Sequence, residues 1–188
     1  MPKTPRMPPI PDAQLTEAQK KAVADVVAGP RKSLVGPFIP LMRSPDFMDR
    51  LQRTGAYLRY SSAFEPRLSE MAILITARLW TQNFEWYAHR SIAEQAGLKA
   101  AVIDAIAEGR RPAEMAADEA VIWDFLDELS RNRSVCDATY ARTLVQFGER
   151  GIIDLIGIHG YYSLLAMVLN VSQAPLPDGA VPDLQPLP

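Results

Sequence analysis

The chain has 188 residues, 48% of them hydrophobic, and its 20 basic and 22 acidic side chains leave a net charge of −2. That is apolar material for one sizeable core, and without a basic block or aromatic-basic alternation it excludes a nucleic-acid surface. A lone cysteine, Cys136, allows no internal disulfide or cysteine-rich cluster, and two histidines, His89 and His159, cannot make a multi-histidine zinc site unless carboxylates or another subunit complete it. No metal is therefore expected. The single thiol fits a reducing compartment and the Pro-rich start lacks the apolar segment of a secretory signal, so the expected location is the cytoplasm.

Residues 1–12 (MPKTPRMPPIPD) contain five prolines and read as an extended arm outside the core, one that could wrap a neighbour. The main domain is expected over 13–173. Thr16 with Gln19 forms a capping-box pattern, and Val23, Val26 and Val27 give a short amphipathic helix ending at Gly29-Pro30. The following loop, RKSLVGPFIPLM, is too apolar for a solvated linker and should line a core edge or a pocket mouth. Ser44 as N-cap and Pro45 at the first position begin a helix that runs to about Tyr60, with Arg50, Arg53 and Arg59 on its wet face.

Pro66 opens a third helix whose apolar stripe, from Leu68 through Met71, Ala72 and Ile75 to Leu79, is widened by Ile73 and Leu74 until the helix should be central. Glu70 lies near its start, where it either complements the helix dipole or meets the next helix as that folds back. The pattern breaks around Thr81 to Asn83 and resumes as a fourth helix closed by Gly97. Glu85 and His89 are four residues apart there, on one face, with Gln82 and Trp86 beside them. Such pairs also occur as ordinary surface decoration. As a functional pair, a carboxylate orients an imidazole and favours its charged form, which suits proton transfer.

A short helix over 98–108 stops at Gly109, and a longer one buries Val121, Ile122, Phe125, Leu126 and Leu129, with Trp123 as packing or interface. Asp137 should cap a further helix ending near Gly148 to Gly151, and a last helix covers about 152–171. That last helix is apolar nearly all round, but Asp154, His159, Ser163 and Asn170 interrupt it, which favours a buried helix over a membrane span. His159 is either a satisfied buried imidazole or a pocket residue beside Tyr161 and Tyr162. The tail from Ala174 on is again Pro-rich and should be irregular. No segment shows the alternation of a half-buried strand, so the fold class is all-α.

Ser69-Glu70 opening an apolar helix, the stretch NFEWYAHR followed by Ala93 and Gly97-Leu98, and FGERGIIDLIGIHGYYSLLAMVLN resemble the carboxymuconolactone decarboxylase family, which includes the alkyl hydroperoxidase D-like proteins. The resemblance covers most of the chain. It implies a single-domain orthogonal helical bundle, homo-oligomers (dimer, trimer or hexamer), and in the decarboxylases a cofactor-free reaction on a small lactone carboxylate. In the peroxidase branch two cysteines form the redox centre. Here Glu70 and His89 keep their places, while Gln82 and Glu85 stand where those cysteines would be. Thiol peroxide reduction then has no nucleophile.

The resulting expectation is a lyase with His89 as general acid, Glu85 as its tuning partner and Glu70 as a second carboxylate. The substrate pocket is expected to draw on Gln82, Trp86, His159, Tyr161, Tyr162 and a cation, Arg78 or Arg59. A lactone isomerase or hydrolase on the same scaffold, and a non-catalytic oligomeric binding protein, are the alternatives.

Overall fold

Eight α-helices and one 3-10 turn form the regular structure of residues 4–177 and 179–186, the part of the chain that the computed structural model describes. No strand occurs among the described residues. After the 3-10 turn Asp12–Gln14 come α1 (Glu17–Ala28), α2 (Phe38–Leu41), α3 (Pro45–Tyr60), α4 (Pro66–Leu79), α5 (Asn83–Gln95), α6 (Ala100–Ala107), α7 (Ala117–Asn132) and α8 (Asp137–Ser172).

The helix α4 is the centre. Every residue from Leu68 to Arg78 is buried, and α4 packs against α5, α6, α7 and α8. An apolar stripe wider than one face has this consequence: a helix with no polar side must be surrounded. The helix α1 begins with the expected capping box, in which the Gln19 N–H donates to Thr16 Oγ1 at 3.3 Å and the Thr16 N–H to Gln19 Oε1 at 2.9 Å. Two expected caps are absent. The Ser44 side chain makes no capping bond to α3, whose entry is set by Pro45 at the first position, and Cys136 rather than Asp137 precedes α8, so Asp137 acts only as a charge in the first turn.

The expected break at 148–151 is narrower than the sequence suggests. Gly148 alone leaves helical geometry (φ 68°, ψ 177°), and the hydrogen-bonded run continues on both sides as α8. Beyond it, Ile152, Leu155, Ile158, Tyr162, Leu165 and Leu169 face the core, while Ile153 and Val171 face outward. α8 is the one helix among the described residues long and apolar enough to cross a membrane, and half of its apolar window is buried inside this fold.

Both Pro-rich ends are irregular but docked. The Arg6 N–H donates to Ser172 O at 2.8 Å, Arg43 Nη2 donates to Pro8 O at 2.8 Å, and Ile10 packs on the core. In the tail Leu184 is buried, its N–H donates to Asn83 Oδ1 at 2.9 Å and its carbonyl accepts from Asn83 Nδ2 at 3.3 Å. The tail therefore closes over the start of α5.

Candidate active site

The turn between α4 and α5 decides which polar groups meet. Thr81 takes a left-handed conformation (φ 46°), and the Gln82 N–H donates back to Ala77 O at 2.9 Å, ending α4 abruptly. A β-branched residue in that region is strained, and the bond from Arg78 Nη2 to Thr81 Oγ1 at 2.7 Å holds it there. Gln82 then caps α5, its side chain accepting the Phe84 N–H at 2.6 Å. The helix α5 runs back along α4 and brings His89 onto Glu70.

His89 Nδ1 lies 2.5 Å from Glu70 Oε2, and Nε2 lies 3.6 Å from Glu85 Oε2, beyond a direct hydrogen bond. Where a carboxylate oxygen of Glu70 is the acceptor, Nδ1 carries the hydrogen, and Nε2 is the ring nitrogen turned toward Glu85. Tyr162 stands edge-to-face against the ring, centroids 5.1 Å apart. Arg59 Nε is 3.9 Å from Glu70 Oε1. All three members of the Glu70, Glu85, His89 group are buried.

Burial pushes the Glu85 carboxyl above its ordinary value of 4.5, against a weaker pull from His89, Arg31 and Arg59. Its Oε1 is buried with no hydrogen-bond partner among the described residues. A carboxyl so placed is harder to ionise than a free one, and in its neutral form it is an O–H donor. Burial also keeps the Tyr162 phenol well above its usual range and raises Tyr161 to about 12, so both remain uncharged.

These groups border a pocket of ≈ 160 Å³, whose wall includes Arg31, Arg59, Phe84, Glu85, His89 and Tyr162. The apolar loop read from the sequence as a pocket mouth contributes Val35 and Pro37. Glu70 sits behind His89, and Tyr161 behind Tyr162, centroids 5.3 Å apart.

Four of the expected pocket residues lie elsewhere. Gln82, besides capping α5, donates to Asn170 Oδ1 at 2.8 Å and borders a different groove beside the tail. Trp86 is fully buried in the core. Arg78 is consumed by backbone, donating to Gln185 O at 2.8 Å and Ala107 O at 3.2 Å. His159 accompanies Ser130 and Arg133 on the wall of a separate cavity, with Nδ1 2.9 Å from Thr76 Oγ1 and Nε2 3.4 Å from Ser130 Oγ. The Thr76 hydroxyl already donates to Ala72 O at 2.8 Å, so its lone pair accepts Nδ1–H of His159. His159 is thus a half-buried imidazole satisfied by a hydroxyl, the first of the two readings its sequence position allowed, and not a residue of the His89 pocket. In the other direction, Arg31 borders the pocket although no sequence spacing ties it to α5.

No group of three or more His, Cys, Asp or Glu among the described residues is arranged to hold a metal ion. The arrangement offers instead one imidazole between two carboxyl groups, with two guanidinium groups on the same pocket.

No protein-family model matches the sequence, and no curated protein matches it. A solved structure does match: the crystal structure of an alkylhydroperoxidase AhpD core, described as an uncharacterized peroxidase-related protein from Ralstonia eutropha JMP134. The two superpose with a TM-score of 0.75 over 94% of each chain, at 18% sequence identity. The chain has the alkyl hydroperoxidase D-like fold. At that identity the likeness is one of fold alone.

Proposed function

We propose that the protein is a cofactor-free acid/base enzyme of the carboxymuconolactone decarboxylase kind, acting on a small lactone carboxylate. The observation that carries this reading is His89, held through Nδ1 by Glu70 and turned with Nε2 toward Glu85 in a pocket that also presents Arg31 and Arg59. Decarboxylation makes three demands. The substrate's negative charge must be held, the electron pair released from the breaking C–C bond must pass into a conjugated carbonyl, and the carbon must then take a proton.

Each demand has a group. The guanidinium groups attract the acidic substrate. Neutral Glu85 donates a hydrogen bond to the oxygen on which charge develops, in a buried setting where such a bond is strongest. Protonated His89, its charge balanced by Glu70, delivers the Nε2 proton to carbon as CO2 departs. The substrate loses CO2 and gains one proton, and His89 recovers a proton from water through the pocket.

Two features weigh against thiol peroxidase chemistry. The positions that would carry the cysteines hold Gln82 and Glu85, and Cys136 stands exposed beside Glu128 at the start of α8. The assay is CO2 release with the accompanying ultraviolet change, using purified protein and 4-carboxymuconolactone. Turnover supports the reading. A product that keeps its carboxyl group but has an opened or isomerised ring would replace it with a lactone hydrolase or isomerase on the same groups.

A further inference from the structure

The two pocket arginines are not equivalent. Arg59 is spoken for: its Nε faces Glu70 Oε1 at 3.9 Å and its guanidinium lies 5.4 Å from the Tyr60 ring centroid. Arg31 has no carboxylate within ion-pair distance among the described residues. Its Nη2 donates to Tyr161 Oη at 3.0 Å, its guanidinium lies 4.7 Å over the Phe38 ring, and its Nε is buried without a partner.

The surroundings are built to keep it there. Tyr161 is buried and stays neutral, so it accepts the Arg31 N–H without cancelling its charge. Phe38 presents a ring face, which steadies a cation without neutralising it. Gly55 on α3 leaves the necessary room, since a methyl group there would collide with both Tyr161 Oη and Arg31 Nη2. Arg59 and His89 both lie within 4 Å of Glu70, so Arg31 is the guanidinium of this pocket without a carboxylate at ion-pair distance among the described residues.

We infer that Arg31 is the anion receptor of this pocket, docking a single carboxylate of a small organic acid, with Tyr161 as the residue that positions it. A guanidinium offers a carboxylate two parallel hydrogen bonds, which fixes orientation as well as charge. The inference rests on the proposed reading of the pocket as a site for an acidic substrate, and it ranks the cations that sequence spacing leaves unranked.

The test is binding, read without turnover. Calorimetric titration of the full chain with benzoate, and with benzamide as its uncharged isostere, is expected to show benzoate bound and benzamide bound at least about tenfold more weakly, the worth of a charge-assisted pair. Arg31→Met should weaken benzoate roughly tenfold or more, Arg31→Lys should recover part of the loss, and Arg59→Met should cost less than Arg31→Met. Tyr161→Phe should weaken benzoate by a few-fold and leave the weak benzamide binding unchanged. Equal benzoate affinity in wild type and Arg31→Met, equal affinity for both probes, or no benzoate binding to the wild type would each overturn the inference. Should Arg31→Met fail to fold, the Arg31→Lys and Tyr161→Phe affinities decide it, and wild-type values in both overturn it. Benzoate binding at Arg31 without lactone turnover would sink the proposed function alone, while turnover with a KM indifferent to Arg31 would sink this inference alone.

Discussion

The two histidines of this chain meet α4 at different residues, Glu70 and Thr76, and have opposite neighbours. His89 lies between two carboxyl groups, with Glu70 directly on Nδ1 and Glu85 beyond Nε2. His159 lies between two hydroxyls, Thr76 on Nδ1 and Ser130 near Nε2. Carboxyl groups stand beside His89 alone; no acidic side chain among the described residues lies within ion-pair distance of His159. At His159 burial acts unopposed and holds the ring below its ordinary value of 6.5. The proposed reading therefore gives the proton-carrying role to His89, and His159 a hydrogen-bonding role in the packing of α4 against α7 and α8.

The sharpest way to break this contrast is to remove the counter-charge. Glu70→Gln should lower turnover by about 10²-fold or more, in line with the loss of one positioned acid/base partner, with little change in KM. Steady-state kinetics on the lactone check it, and an unchanged kcat would make Glu70 a structural residue.

Glu85→Gln should act on activity and stability in opposite directions. Because the folded carboxyl titrates above its unfolded value near 4.5, its stabilising contribution is complete below that value and is lost as pH rises through the folded one. Glutamine has no such loss. The variant should be more stable than wild type near neutrality yet roughly 10-fold or more slower, the pattern of a strained functional group. Thermal unfolding across pH, with wild type and variant losing stability in parallel, would contradict it.

On the His159 side the effects should be smaller and purely structural. Thr76→Val removes the acceptor of Nδ1–H and should cost about 1–2 kcal/mol of stability while leaving turnover intact. Half-buried His159, its folded value depressed by desolvation, contributes stability above its unfolded pKa of 6.5 and loses it as pH falls from there through the folded value. His159→Gln should flatten that acid-side decline. Denaturant unfolding between neutrality and mildly acidic pH reads both outcomes.

Much of the scaffold was legible because helical signals are local. The capping box at Thr16 and Gln19, the prolines at 45 and 66, and the left-handed glycines Gly97 and Gly109 each end or start a helix by the chemistry of a few adjacent residues. The Glu85/His89 pair was legible for the same reason, since four residues on a helix are neighbours in space. What the sequence hid depends on where helices cross. Arg78 and Arg59 look alike in the chain, but one is spent on backbone carbonyls beside the tail and the other reaches Glu70. His159 is a short step along α8 from Tyr162, yet the helix turns it toward Thr76 and away from the pocket. The docked tail was hidden too, because Leu184 is one apolar residue in a Pro-rich stretch and its place is set by Asn83.

The measurement that tests the central claim most directly is CO2 release from 4-carboxymuconolactone by wild type, His89→Gln and His159→Gln side by side. Turnover falling by roughly 10²-fold or more in the first variant and staying within a few-fold in the second is the predicted result. Equal losses in both variants, or a His89→Gln protein as fast as wild type, would contradict the assignment of His89 as the proton donor.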